Sequence, residues 1–268
     1  MKTLARPLFQ IALATGLGLA GQSAFAQAFD AVRIYGAAPA QDGGIVALAG
    51  VFGHEYMGSD ERRSRVLPGL DYMWRNGFFA GTGNGIGMNF SSRPDLSYGL
   101  RLTADFGRDE DRSAALKGMG DIDARPEFGG FLNYNLNQNF VLISSLRYGA
   151  GNDRKGLQAD LGAAYRTRLG TDWDLGVGMA LTLANAELMQ SNFGVTAAQA
   201  VTSKYAVYTP GSGLRDVRAN ISLTYHISPR MGLTGAVSAS SLQGDAKDSP
   251  LTREASPVNG VLALTYLF

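Results

Sequence analysis

The sequence predicts an all-β protein that folds as a transmembrane, antiparallel, up-and-down β-barrel of about twelve strands. Three features predict this fold. They are an N-terminus typical of a signal peptide, a two-residue alternation of apolar and polar side chains along most of the chain, and a C-terminal strand that ends in Phe268. No apolar run beyond residue 26 approaches the roughly 20 residues of a membrane-spanning helix. A barrel explains this absence, because only every second residue faces lipid.

The first 26 residues have the composition of a secretory signal peptide. Lys2 and Arg6 precede an apolar run at residues 8–20, and the small residues Ala24 and Ala26 suit a cleavage site. The apolar run is too short for a stable transmembrane helix, although a retained membrane anchor is the alternative interpretation. We predict cleavage after Ala26, export from the cytoplasm and a barrel formed by residues 27–268.

Residues 258–268 alternate strictly between two faces, which indicates one β-strand of membrane-spanning length. The strand ends on Tyr266 and Phe268 at the terminal carboxylate. Bacterial outer-membrane barrels commonly end on such an aromatic residue, which their assembly machinery recognises. We therefore predict that Tyr266 and Phe268 form a barrel-assembly signal. The predicted location is the cell outer membrane, in contact with lipid and lipopolysaccharide.

The same alternation recurs along the chain and predicts further strands. Clear examples lie at residues 98–106, 157–167, 173–183 and 217–227, and weaker ones at 44–56, 66–75, 78–90, 128–136, 139–149 and 231–242. With the C-terminal strand these segments number eleven, whereas a single-chain bacterial barrel has an even number. Ala31–Tyr35 is the best candidate for a twelfth strand. Ten strands are the alternative if the segments near 66–90 are not separate spans.

The connections differ in length, and this difference predicts the orientation of the barrel. Three long polar connections lie at about 107–127, 187–214 and 243–257, and tight turns lie near 137, 171 and 229. Because outside loops are longer than periplasmic turns, we place the long connections outside. The strand count leaves the side of Arg62, Arg63 and Arg65 open. If they lie outside, these arginines could contact lipopolysaccharide phosphates. If they lie in the periplasm, they could contact an acidic partner or peptidoglycan. The third interpretation is that they belong to a solvated loop without a partner.

Composition excludes several classes of function. The chain has no cysteine, so it has no disulfide, thiolate nucleophile or sulfur metal ligand. Residues 1–26 hold two of the 24 basic residues and none of the 23 acidic ones, so the remainder is nearly neutral and no nucleic-acid partner is expected. The two histidines, His54 and His226, predict no metal site. We expect no cofactor and no enzymatic activity.

Two polar constellations offer chemistry, and each also has a structural interpretation. His226 precedes Ser228 by two residues, a pairing found in hydrolases where histidine activates a serine hydroxyl. We favour a polar lumen residue instead, because the pair lies at a predicted periplasmic turn. Asp245, Asp248 and Ser249 could bind a cation through oxygen atoms. Their Gly-Asp start and Ser-Pro finish favour a turn held by side-chain-to-backbone hydrogen bonds.

Charged residues on the polar strand faces are expected to point into the lumen. They could pair across the interior and close a narrow barrel, or line a water-filled pore and tune its selectivity. A barrel of ten to twelve strands is narrow, so we expect mixed pairing and at most a small channel. The candidate lumen residues are Arg101, Asp105, Asp160, Arg166, Asp174, Arg218 and His226, with Asp71, Arg75 and Arg168 as further inward positions.

Several loop motifs resemble those of the MipA/OmpV family of outer-membrane proteins. Two of these motifs are the clearest: one lies at the end of the strand predicted at 44–56, and the other lies near the C-terminus. The similarity extends in the same order over the mature chain to Tyr266-Leu-Phe268. The motif residues are Tyr56, Gly58, Ser59 and Asp60 in the first, and Gly244, Asp245, Asp248, Ser249 and Pro250 in the second.

The resemblance implies an outer-membrane barrel with one of several roles. Some relatives are described as scaffolds that link a lytic murein transglycosylase to a bifunctional penicillin-binding protein, and others as porin-like or adhesive. We therefore predict a structural scaffold for murein-synthesis and murein-hydrolysis enzymes. A narrow porin or an adhesin is the alternative, and a lipid hydrolase is the least favoured function.

Overall fold

Twelve antiparallel strands close into one barrel in the computed structural model, which describes residues 41–268. Each strand pairs with its sequence neighbours, and β1 pairs with β12 to complete the cylinder. The strands are β1 (Gly43–His54), β2 (Arg62–Met73), β3 (Phe78–Gly81), β4 (Gly85–Asn89), β5 (Leu96–Asp105), β6 (Arg125–Asn135), β7 (Phe140–Ala150), β8 (Gly156–Leu169), β9 (Trp173–Ala184), β10 (Gly213–His226), β11 (Met231–Leu242) and β12 (Val258–Leu267). The predicted up-and-down barrel is confirmed.

The twelfth strand comes from a different place than the sequence suggested. Residues 78–90, predicted as one strand, form the short hairpin β3–β4, and the ten-strand alternative is wrong. Gly85 (φ +73°) makes the turn, and a β-carbon there would collide with the Leu102 carbonyl oxygen. The sequence did not predict this turn, because glycines alternate on both sides of Asn84 and continue the two-residue pattern of a strand. Asn84-Gly85 is nevertheless a typical hairpin dipeptide. The predicted signal peptide and the candidate strand Ala31–Tyr35 lie outside the described residues.

Outward side chains form an apolar belt, as a lipid-facing wall requires. Their exposure is high because they have no protein neighbour: Val66 is 69% exposed and Met179 62%. Aromatic pairs girdle the end of the barrel that carries Phe268, where Trp173 lies 4.8 Å from Tyr225 and Phe140 lies 4.8 Å from Tyr165, ring centroid to ring centroid. Among residues 41–268, no helix is both long enough and apolar enough to cross a membrane.

The two ends of the barrel differ in the length of their connections. Gly44 and Phe268 exchange backbone hydrogen bonds of 3.0 Å, which places the C-terminus at the start of β1. Short turns at 74–77, 136–139, 170–172 and 227–230 share this end, and the long connections share the other. Because periplasmic turns are short, we call these the inner and outer ends. Arg62, Arg63 and Arg65 therefore lie at the outer end, on β2.

The long outer connections contain local helices that the sequence did not predict. The connection from β9 to β10 holds α1 (Ala186–Phe193) and α2 (Ala197–Thr202), and the connection from β11 to β12 holds α3 (Gly244–Lys247). Two 3₁₀ turns, Glu110–Arg112 and Ala114–Leu116, lie between β5 and β6. Asn185 starts α1 by accepting a hydrogen bond from the Leu188 amide at 3.1 Å, and Thr196 and Gln199 form a capping box on α2.

Candidate functional site

Four outer connections, residues 55–61, 106–124, 185–212 and 243–257, pack together over the outer mouth and form what we call the loop cap. α1 supplies its centre, because Leu188, Met189 and Phe193 are each at most 2% exposed. These side chains meet apolar residues from three barrel strands and from α3, which ties the cap to the wall. The partners are Ala150, Ala184, Leu242 and Ala246.

The first family-like motif holds two segments of the cap together. The Tyr56 hydroxyl donates to the Leu251 carbonyl oxygen at 3.0 Å. The Gly58 carbonyl oxygen accepts from the amides of Arg253 and Glu254 at 2.7 and 3.0 Å. Gly58 adopts φ +91°, and a β-carbon there would lie 2.9 Å from Thr252 Oγ1, so only glycine fits. Ser59 is buried and its Oγ accepts from the Glu61 amide, while Asp60 is exposed.

The second motif joins the connection before β12 to the one before β10. Asp245 Oδ2 accepts from the Gly211 amide at 2.6 Å, and the Asp245 carbonyl oxygen accepts from the Tyr208 hydroxyl at 2.8 Å. Ser249 Oγ donates to the Phe193 carbonyl oxygen at 2.6 Å and accepts from the Leu251 amide. Gly244 has φ +46° and bonds the Asp248 amide, and Pro250 follows at the cap surface. These contacts are structural, and no group of three or more acidic or histidine side chains converges on a metal-sized site within residues 41–268.

Burial shifts the pKa values of two titratable groups inside the cap. Desolvation raises the pKa of Tyr56 to about 12 and lowers the pKa of Arg108 to about 10. The Arg108 guanidinium lies 6.0 Å from the centre of the Tyr56 ring and donates to the Asn192 carbonyl oxygen at 3.1 Å. With the Tyr56 hydrogen bond to Leu251, the pair thus links all four connections that form the cap.

Directly beneath the cap, seven side chains from four strands form a closed hydrogen-bonded circuit that we call the charge ring. Its members are buried and alternate in sign, with three arginines, three carboxylates and one amide. The members are Glu127, Arg147, Asp160, Arg218, Asp216, Arg215 and Gln158, in the order of their contacts.

Distances around the charge ring are those of direct ion pairs. Arg147 contacts Glu127 at 3.4 Å and Asp160 at 3.0 Å. Arg218 contacts Asp160 at 3.0 Å and Asp216 at 2.9 Å. Arg215 closes the circuit. It contacts Asp216 at 2.8 Å and Gln158 at 3.0 Å. Gln158 then contacts Glu127 at 2.9 Å, where the circuit began.

Sequence alternation identified Asp160 and Arg218 as inward but missed Arg215. A register shift between Leu214 and Asp216 turns Arg215 and Asp216 inward in succession, and both are buried. Glu127, Arg147 and Gln158 lie at regular inward positions of β6, β7 and β8, so the two-residue period could have indicated them. No signal in the sequence marks the bulge.

The other candidate lumen residues fall into two groups. Arg101 is 2% exposed on β5 and donates to Ser145 Oγ at 2.7 Å, and Asp105 Oδ1 accepts from the Gly107 amide at the outer end of β5. Arg166, Asp174 and His226 lie at the inner end, where His226 Nε2 contacts Asp174 Oδ2 at 2.7 Å.

Two further positions were considered at the sequence level. Ser228 Oγ accepts from the amides of Arg230 and Met231, and so holds the inner turn. The prediction for Arg75 is wrong, because it lies exposed in the turn after β2 and not in the lumen. His54, at the outer end of β1, is buried against Asn259 Oδ1 at 3.2 Å.

The opposite wall of the lumen contains an apolar patch. Ala49 and Val51 on β1 pack with Val261 and Ala263 on β12, and Leu67 of β2 extends the patch. The interior therefore has a charged side, formed by β5 to β10, and an apolar patch on β12, β1 and β2 that lies beside buried polar side chains such as Thr234 and Ser238 of β11. The ion pairs of the charged side crosslink the barrel strands.

Comparison with protein-family models matches residues 46–268 to the family described as MltA-interacting protein MipA. The chain belongs to this family. It is therefore an outer-membrane β-barrel, as the strand alternation predicted. Comparison with curated proteins gave no significant match.

Solved structures similar to this MipA-family barrel include outer-membrane porins and channels. The NanC porin has 11% identity and a TM-score of 0.49, with 82% of this chain and 98% of that chain covered. An outer membrane channel from Pseudomonas putida F1 has 14% identity and a TM-score of 0.46, with 87% and 98% covered. The KdgM porin has 11% identity and a TM-score of 0.44, with 84% and 99% covered.

Proposed function

We propose that this MipA-family barrel is a non-conducting structural protein that anchors a murein-degrading enzyme, a lytic transglycosylase, at the periplasmic face of the outer membrane. The observation that carries the proposal is the packed outer end, where the loop cap lies above the charge ring. A pore needs a continuous water-filled path, and the buried charge ring narrows that path beneath the cap.

The charge ring favours closure over conduction. Its three arginines and three carboxylates balance, so it presents no net field that would draw an ion through the lumen. Every charged member contacts an opposite charge or a strong hydrogen-bonding group, so opening a path would leave buried charges uncompensated. The same pairing crosslinks β6, β7, β8 and β10, which suits a rigid anchor.

The inner end is the surface that a periplasmic enzyme would meet. Its turns are short and polar, and Arg168, Asp172 and Arg230 are exposed there. The family description names MltA-interacting proteins, which supports a lytic transglycosylase as the partner class. The predicted signal peptide supports export to the same compartment. A penicillin-binding protein is a second partner that the family resemblance supports.

The test is a binding measurement between the mature barrel in detergent and a purified lytic transglycosylase. We expect saturable binding that the inner-turn variant Arg168→Ala/Arg230→Ala weakens by about tenfold, since rim charges act on encounter and orientation. The matched control is Arg154→Ala, an exposed arginine of the outer connection between β7 and β8. Absence of binding, or equal loss in the control, would reject the scaffold function.

A narrow porin is the second candidate, and one observation favours it. Small inward residues line the inner half of the lumen on β9 to β11, where Gly176 and Gly178 face Ser222 and Asn220. Planar-bilayer recording separates the two functions: discrete conductance steps of the wild-type protein support the porin, and silence supports the anchor. We propose no lipid-hydrolase activity, and His226→Ala should leave any lipid-modifying activity of the preparation unchanged.

A further inference from the structure

The barrel wall has an opening between β2 and β5 in its outer half. β3 and β4 are only four and five residues long. β3 pairs with β2 at Asp71–Met73, and β4 pairs with β5 at Gly99–Leu102. Above this hairpin, β2 has no strand partner on this side within the described part of the chain. We call this opening the lateral gap.

The gap exposes backbone hydrogen-bonding groups of β2 at the depth of the lipid. The amide and carbonyl of Leu70 bond to Thr82 at the hairpin tip. Backbone groups alternate in direction along a strand, so those of Pro68, Val66 and Ser64 point into the gap. Pro68 pairs in register with Leu48, which is 57% exposed in the apolar belt. An open strand edge is strongly unfavourable in hydrocarbon, so a molecule with polar groups should cover it.

Pro68 argues against another β-strand as that molecule. It has no amide hydrogen, and it stands in the middle of the edge, where a partner strand would need a donor. Proline and charged residues are the features by which sheet edges resist strand addition. Arg62 and Arg63 continue the same edge. If two copies of the barrel paired through β2, these arginines would lie close to the arginines of the other copy, and like charges would repel.

The arginines at the outer end of the gap favour an anionic headgroup. Ser64 pairs in register with Phe52, so Arg62 and Arg63 lie at headgroup height beside the open edge. Arg62 lies on the face of Val66, and Arg63 lies on the face of Arg65. Arg63 and Arg65 both form ion pairs with the Glu55 carboxylate, at 3.2 Å and 3.8 Å. Arg62 is exposed and forms no ion pair with another residue of 41–268. Guanidinium groups bind phosphate through paired charge-assisted hydrogen bonds.

We propose that the lateral gap binds one lipopolysaccharide molecule of the outer leaflet. A phosphate of its lipid A part contacts Arg62 and Arg63, and an acyl chain lies along Val66 and Pro68. The amide groups that join acyl chains to lipid A supply both donors and acceptors for the exposed backbone of β2. This binding site is independent of the proposed periplasmic anchor function, which concerns the opposite end of the barrel.

Native mass spectrometry tests the chemistry of the site. The mature chain is refolded without lipid in detergent and mixed with lipid A, with dephosphorylated lipid A or with phosphatidylglycerol. We expect a one-to-one complex with lipid A that Arg62→Gln/Arg63→Gln weakens by about tenfold, because two charge-assisted contacts are lost. Arg154→Gln is the matched control and should bind as the wild type does. Equal binding of dephosphorylated lipid A or of phosphatidylglycerol would overturn the proposal.

Photo-crosslinking tests the place of the site and does not depend on the arginine variants. A benzophenone amino acid replaces Val66 or Leu262, two outward residues at the same depth because both pair in register with Gly50. In detergent with equimolar lipid A, we expect a lipid A adduct at position 66 and none at 262. Equal adducts at both positions would show general lipid contact and reject the gap as a site. A covalent protein dimer at position 66 would instead assign the gap to a second copy.

Discussion

Arg218 on β10 reaches Asp160 on β8 at 3.0 Å, although β9 lies between the two strands. The contact spans β9 because the inward residues there are small: Ala180 pairs in register with Arg218, and Thr182 pairs with Asp160 and donates to it. Small residues on one strand therefore allow long side chains from its two neighbours to meet above it. The charge ring depends on this spacing.

Asp160→Asn should lower the free energy of unfolding by about 3–5 kcal/mol, because it leaves Arg147 and Arg218 buried without their shared carboxylate. The measurement is denaturant unfolding of the barrel in lipid vesicles. Asp153→Asn, in an exposed outer loop, is the control and should change stability by less than about 0.5 kcal/mol. Equal stability of the two variants would mean that the ring does not contribute to folding.

Arg215→Ala/Arg218→Ala should convert a silent barrel into one with small, cation-selective conductance. The substitution removes two of the three ring cations and leaves three carboxylates, so the constriction becomes larger and net negative. Planar-bilayer recording in an asymmetric salt gradient measures both the step size and the reversal potential. Anion selectivity, or conductance equal to that of Arg154→Ala, would contradict the assigned role of the ring.

Gly58→Ala should destabilise the loop cap by about 1–3 kcal/mol, through backbone strain at φ +91° and a collision with Thr252. Limited proteolysis of the outer connections reports the loss directly. Gly120→Ala separates the two causes, because Gly120 has φ +72° but no atom within 4 Å of the added β-carbon. We expect Gly58→Ala to be cleaved faster, and equal rates would attribute the whole effect to backbone conformation.

Alkaline pH should weaken the cap through Tyr56. Its pKa is raised from 10.0 to about 12, so the folded cap holds the hydroxyl proton more tightly than the unfolded chain does. The resulting stability is fully present below pH 10 and is lost as the pH rises towards about 12. Arg108, with its pKa lowered from 12.5 to about 10, acts in the opposite direction as it loses its proton over the same range.

Tyr56→Phe isolates the tyrosine contribution. The variant loses the hydrogen bond to Leu251, so it should be less stable than the wild type at pH 8 by about 1 kcal/mol. The difference should shrink by about pH 12, and the tyrosinate absorbance titration should lose its latest component. A constant difference across this range would reject the burial of the Tyr56 hydroxyl as the cause.

Much of the barrel could be predicted from the two-residue period, and the exceptions are instructive. Asp160 and Arg218 were identified as inward because regular strands turn every second side chain to one face. Arg215 was missed because a bulge breaks that period, and bulges depend on the register of neighbouring strands. The β3–β4 hairpin was taken as one strand because its turn preserves the alternation of small residues.

The sequence by itself determined that this chain forms an antiparallel barrel with an apolar exterior, because alternation is a local property that one strand displays alone. Only the tertiary structure decided that Gly43–His54 is the strand that closes on β12, that the loop cap lies above the charge ring at the outer end, and that β2 leaves an open edge. Each of these depends on contacts between residues far apart in the chain, where register, bulges and side-chain reach determine which groups meet.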